Sequence, residues 1–115
     1  HVTPGRVQNH PGVAKGWGDF GADGTIATSY NVTSITDTDV GRVTVTWATD
    51  FSSANYTVLG TAQTTTGGGA TCYVIVRSDV APTTSATEFD CISTTETVID
   101  PTEWHVVGFG DQGAN

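Results

Sequence analysis

The chain has 115 residues, of which only 37% are hydrophobic, enough for a single domain with a thin core. Its net charge of -8 sets 12 acidic side chains against four basic ones. That balance denies it the basic footprint that nucleic acid or an anionic membrane surface requires.

Neutral polar partners, such as glycans or other protein surfaces, remain open. No apolar run is long enough to span a bilayer, so membrane insertion is not expected. Threonine makes up about a fifth of the residues. It is β-branched, stiff at its first side-chain torsion and suited to the wet face of a strand. With no methionine and His1 at its start, the sequence reads as a processed product or a piece of something longer.

Residues 1–13 carry Pro4, Gly5, Pro11 and Gly12 without periodicity, which predicts an extended N-terminal arm or linker. From residue 14 to residue 115 the period is two, and one β domain is expected. Ile26, Thr28, Tyr30 and Val32 share one face of a predicted strand, with Ile35 out of phase as at a bulge or a strand end. Residues 36–41 are turn formers. The clearest strand spans 42–49, where Val43, Val45 and Trp47 alternate with Thr44, Thr46 and Ala48.

A further strand is predicted over 56–62, and residues 64–69 then break the pattern at Gly67, Gly68 and Gly69 as a hairpin tip. Over 71–78, Cys72, Val74 and Val76 face away from Tyr73, Ile75 and Arg77. A connection at 79–85, a strand over 88–93 and a last strand over 103–110 complete the chain. No apolar 3.6-residue repeat lasts beyond one turn. About seven short strands predict an all-β fold, a small antiparallel β-sandwich, with a small barrel as the other closure.

Several segments carry a pattern beyond simple alternation. Ala14-Lys15-x-Trp17-x-x-Phe20-x-x-x-Gly24-Thr25 opens it, and the run from Ser29-Tyr30-Asn31-Val32 to Ile35-Thr36-Asp37 follows. Gly41-x-x-Thr44-Val45-x-Trp47-x-Thr49 continues it, then Ser53-Ala54-Asn55-Tyr56-x-Val58, and Val106-Val107-Gly108-Phe109-Gly110-Asp111-Gln112 closes it. Together they resemble a domain found near the C-terminal ends of bacteriophage tail fibres, although that family more often has Phe where Trp47 stands. The resemblance covers roughly the first half of the chain and the last strand, and its motifs are structural.

It implies a virion structural protein, a tail-fibre or spike domain that mediates host-surface attachment, most often as a homotrimer. Its partners would be other virion proteins and a host cell-surface glycan or protein. Residues 63–102 follow no such pattern, so host-specific contacts are expected on their loop tips. Thr65, Thr66, Gly68, Tyr73, Thr83 and Thr84 are the receptor-contact candidates. A capsid or tail decoration protein docking through the arm is the first alternative. A carbohydrate-binding module or depolymerase fragment is the second.

Trp17, Tyr30, Trp47, Tyr56 and Trp104 could stack on sugar rings, but large aromatics are also the natural filler of a small β core. Their apolar strand faces place Trp47 and Tyr30 in the core, and Trp104 in the core or a subunit interface. Tyr73 has the better claim to exposure. Cys72 and Cys91 both fall on apolar faces, and a hairpin turning at Ala81-Pro82 would set them directly across from each other, as a bridge or as buried thiols. A virion assembled in reducing cytoplasm favours thiols.

Asp19, Asp23, Asp37 and Asp39 lack the oxygen spacing of a calcium loop and read as turn caps. His1, His10 and His105 are dispersed, without metal-ligand spacing. Glu88 and Asp90 share the solvent face of one strand, where paired carboxylates protect a sheet edge. The Asn31 and Asn55 sequons are expected to satisfy turn or edge hydrogen bonds. No catalytic residue, metal site or cofactor is expected, and the chain does not read as an enzyme.

Overall fold

The computed structural model describes residues 10–64 and 72–112. Among them are eight strands: β1 (Gly16–Gly21), β2 (Ile26–Tyr30), β3 (Val32–Asp39), β4 (Arg42–Trp47), β5 (Thr57–Gln63), β6 (Cys72–Val76), β7 (Ala86–Ser93) and β8 (Glu103–Phe109). A front sheet has the order β2-β1-β8-β5 and a back sheet β3-β4-β7-β6. Every pairing is antiparallel. This is the all-β sandwich that the alternation predicts, with one strand more than expected.

The extra strand comes from Asn31. Its backbone is left-handed, with φ 56°, a conformation Asn adopts more readily than most residues. Its side-chain amide donates to the Lys15 carbonyl at 2.8 Å, and its carbonyl accepts from the Ala48 N–H at 2.9 Å. The chain therefore leaves the front sheet after Tyr30 and enters the back sheet at Val32. Residues 26–32, expected as one strand, belong to two sheets, and a bulge between Val32 and Ser34, as the out-of-phase Ile35 suggests, turns Ile35 to the same inward face as Val32. Val32 and Ile35 pack on the core, whereas Tyr30, expected inside, is exposed.

The core lies between the sheets. Phe20, Trp104 and Val106 enter it from the front sheet, and Val43, Val45, Trp47, Phe89 and Cys91 from the back. Phe20 and Trp104 stack with ring centroids 6.1 Å apart. The Trp47 indole crosses to the front sheet and lies against Gly16 and Gly108, which are cross-strand partners of β1 and β8. A Cβ at Gly16 would come within 2.7 Å of the Trp47 ring, and one at Gly108 within 3.3 Å. A pair of glycines thus makes the flat seat that so large a side chain needs. Gly60 makes room for Val74 in the same way: a Cβ there would come within 2.7 Å of the Val74 side chain.

Two connections are tied to the sandwich by specific contacts. Phe51, between β4 and β5, meets Trp47 edge-on at 5.8 Å and stacks on Tyr56 at 3.9 Å. The Tyr56 hydroxyl lies 2.7 Å from the Thr83 carbonyl, 3.0 Å from the Ala86 carbonyl and 2.6 Å from the Thr87 hydroxyl. It donates its one proton to a carbonyl and accepts from Thr87. Residues 94–102 close over the end of β4 and β7: Asp100 accepts from the Gly41 N–H at 2.7 Å, and Ile99 donates to the Cys91 carbonyl at 3.0 Å. Gly41, with φ 68°, would place a Cβ 2.6 Å from the Ile99 backbone, so only glycine fits there.

Residues 10–13, expected within an extended arm, form a turn instead. Val13 donates to the His10 carbonyl at 3.1 Å, and the buried Lys15 ammonium donates to that same carbonyl at 2.6 Å. Lys15 is only 2% exposed. Its charge is met by carbonyl oxygens, which seals the turn onto the domain. Residues 1–9 lie outside the described residues.

Gly16→Ala is expected to lower unfolding free energy by about 1–3 kcal/mol, because the Trp47 ring cannot give way in a packed core. Urea unfolding followed by tryptophan fluorescence measures it. Tyr56→Phe keeps the ring stack and removes the hydroxyl, leaving the loop carbonyls without that donor. A loss of about 1–3 kcal/mol is expected by the same assay, with a native far-ultraviolet dichroism spectrum at low urea.

Candidate binding face on the front sheet

Successive residues of a strand point to opposite sides, so the residues that put Phe20, Trp104 and Val106 inside put their neighbours outside. On β1 these are Trp17 and Asp19, on β8 Glu103, His105 and Val107, and on β5 Leu59, Thr61 and Gln63. The register aligns them in rows across the sheet. Tyr30, Trp17, Val107 and Leu59 are consecutive cross-strand partners, as are Thr28, Asp19, His105 and Thr61. Gly21, Glu103 and Gln63 make a third row.

The first row is apolar and accessible: Trp17 is 38% exposed, Tyr30 42% and Leu59 60%. Four strands at the usual inter-strand spacing give it a length of about 14 Å. The second row is polar. Between them lies an open concavity of about 320 Å³, lined by Leu59, Gly60, Thr61, His105, Val106 and Val107. An aromatic and aliphatic strip, a depression and a line of hydroxyl, carboxylate and imidazole groups therefore share one face.

The polar row is electrically unusual. His105 Nδ1 lies 3.6 Å from Asp19 Oδ1, and its Nε2 lies 3.7 Å from Glu103 Oε2, both beyond hydrogen-bond length. Asp19 Oδ1 is shielded from water and accepts no hydrogen bond. Asp19, expected as a turn cap, is instead a mid-strand residue facing His105. Asp23 and Asp39 do cap turns, accepting from the Thr25 and Val40 N–H groups at 3.0 and 2.7 Å. The bond from Thr25 holds the Asp23 carboxyl below its ordinary value.

The five aromatics divide. Trp47 and Trp104 are core, Tyr56 is anchored at its corner, and Trp17 and Tyr30 stand side by side at the surface. Of the receptor-contact candidates, Thr65, Thr66 and Gly68 lie outside the described residues. Tyr73 is 49% exposed on β6, an edge of the back sheet. Thr83 and Thr84 follow the Val76 end of that strand and are used in its turn. The Thr83 hydroxyl accepts from the Ala86 N–H at 3.1 Å, and the Thr84 carbonyl accepts from Phe51 at 2.8 Å. Tyr73, Thr83 and Thr84 do not share a surface with the front-sheet rows.

Glu88 and Asp90 are not on an edge strand, because β7 lies between β4 and β6. Each has a cationic partner: Arg77 donates to Glu88 at 2.7 Å, and Arg42 to the 4%-exposed Asp90 at 3.2 Å. Arg77 also binds Asp79 at 2.6 Å and holds that carboxyl below its ordinary value. These carboxylates are bound in structural pairs.

Cys72 and Cys91 are free thiols on the inward face. They are not directly across from each other: Cys72 is opposite Ser93 and Cys91 opposite Val74, a diagonal pair. Burial, with the Cys72 thiol beside it, pushes the Cys91 thiol up to about 12. The unfolded chain ionises from 9.0 upward while the folded chain keeps the proton, so unfolding is favoured as pH rises across that interval. Unfolding free energy is therefore expected to fall between pH 9.0 and about 12 more steeply for the native chain than for Cys91→Ala, in urea titrations at several pH values. Compared with family models, curated proteins and solved structures, the chain finds no match among any of the three.

Proposed function

We propose that this chain is a non-enzymatic attachment module that holds a host-surface glycan on the outer face of its front sheet. The observation that carries this reading is the exposed cross-strand pair Trp17 and Tyr30, extended by Val107 and Leu59 and bordered by the polar row. Aromatic faces pack on the apolar C–H faces of pyranose rings, while carboxylate, imidazole and hydroxyl groups bond to the ring hydroxyls. Specific small-ligand sites have this division of labour. A strip of about 14 Å suits a short oligosaccharide. The net charge of -8 favours a neutral sugar over a phosphorylated or acidic one.

The sequence resemblance to phage tail-fibre domains supports placing such a module in a virion, at the end of a fibre or spike. A trimeric fibre would present three copies of the face, and linked weak sites gain affinity through effective concentration. Glu88 and Asp90, the carboxylates that a hydrolase reading would use, are occupied by Arg77 and Arg42. The aromatic strip is distinct from both their face and the turn that holds Thr83 and Thr84.

Trp17→Ala is expected to weaken oligosaccharide binding about tenfold, equivalent to about 1.4 kcal/mol. Tyr30→Ala should act in the same direction. Both should leave the far-ultraviolet dichroism spectrum native, because the side chains stand on the outer face of the sheet and not in the core. A glycan array probed with the native chain selects the oligosaccharide, and calorimetric titration measures the variants. Binding that survives both substitutions would move recognition to another surface. Absence of all glycan binding, with self-association abolished by Leu59→Ser, would make the face a contact between copies.

A further inference from the structure

We propose that Asp19, Glu103 and His105 form a site for one divalent transition-metal ion of the Zn²⁺ class on the outer face of the front sheet. Asp19 and His105 are direct cross-strand partners, and Glu103 precedes His105 by two residues on the same face. One donor atom from each of the three lies within 4.8 Å of the other two. Side-chain rotations bring such a set to the distances of about 2.0–2.2 Å at which imidazole nitrogen and carboxylate oxygen bind Zn²⁺. Both strands are interior to their sheet, so the backbone positions are held by hydrogen bonds on both sides.

Two independent observations point to a cation there. First, Asp19 Oδ1 is shielded from water and accepts no hydrogen bond, although the Asp19 side chain as a whole is 29% exposed. Such an oxygen is costly to leave unpaired, and the nearest imidazole nitrogen, at 3.6 Å, is too far to satisfy it.

Second, the described basic side chains are committed elsewhere. Lys15 is turned inward onto the His10 carbonyl, Arg42 is paired with Asp90, and Arg77 with Asp79 and Glu88. Two carboxylates therefore face one imidazole without a Lys or Arg among the described residues to balance them. A divalent ion supplies that charge.

The donor set narrows the ion. Imidazole suits Zn²⁺, Cu²⁺ and Ni²⁺, whereas Ca²⁺ and Mg²⁺ prefer an all-oxygen shell. Three protein ligands leave at least one coordination position directed to solvent, beside the concavity that His105 also lines. The glycan reading draws on the same polar row, but the metal inference rests on the donor geometry of Asp19, Glu103 and His105 and not on the aromatic row.

Calorimetric titration of the full chain with Zn²⁺ tests the site. One ion per chain is expected, and Asp19→Asn and His105→Gln should each weaken binding at least tenfold while leaving the far-ultraviolet dichroism spectrum native. His1 and His10 are the competing ligands, so the double variant His1→Gln/His10→Gln should retain the one-ion stoichiometry. On the native chain, Zn²⁺ should also shift the His105 imidazole ¹⁵N resonances, a measurement that stands even if a variant fails to fold. Absence of Zn²⁺ binding, unmoved His105 resonances, or binding lost in the His1/His10 double variant would overturn the proposal.

Discussion

The contact between the Trp47 indole and the glycine pair Gly16 and Gly108 sets the spacing on which the sandwich depends. A large ring from the back sheet is received by a patch of front sheet that has no side chains at all. Because close packing leaves no slack, this seat also fixes how β1 and β8 lie side by side. Phe20 and Trp104 then stack on the same two strands, and Phe51 and Tyr56 extend the aromatic cluster toward the Thr83 turn. The Trp47 and Trp104 indole N–H groups meet no acceptor. Shape, rather than polar pairing, therefore holds these two side chains.

That arrangement has a consequence on the other side of the same strands. With large groups inward at Phe20, Trp104 and Val106, alternation turns Trp17, Asp19, His105 and Val107 outward, on the most firmly held part of the front sheet. The core that fixes β1 against β8 is thus also what aligns the aromatic strip with the carboxylate and imidazole row. A binding face built on interior strands is more rigid than one built on loop tips. The 77–86 connection, although loop-like in sequence, is committed to Arg77–Asp79, Arg77–Glu88 and Tyr56–Thr83 contacts.

Much of the fold was legible because β-alternation is a local property. Val43, Val45 and Trp47 against Thr44 and Thr46 announce β4, and Trp104 and Val106 against His105 and Val107 announce β8. The misleading signal is also local. Ile26, Thr28, Tyr30 and Val32 keep a perfect period of two across Asn31, so nothing in the pattern betrays a change of sheet at a single left-handed residue. The alternation therefore points Tyr30 inward. Nor does it tell whether the Glu88–Asp90 strand lies at an edge, because neighbouring strands leave no mark on a strand's own sequence.

The sequence by itself determined the all-β class, the positions of most strands and which side of each strand is apolar, because these follow from side-chain type at a spacing of two. Only the tertiary structure decided which faces meet. Register brought Asp19 opposite His105, 86 positions later in the chain, and set Trp17 between Tyr30 and Val107. Such pairings depend on the fit of Trp47 over two glycines and on the corner at Asn31. Neither a dispersed histidine nor an isolated tryptophan carries that information, because their meaning is created by long-range packing.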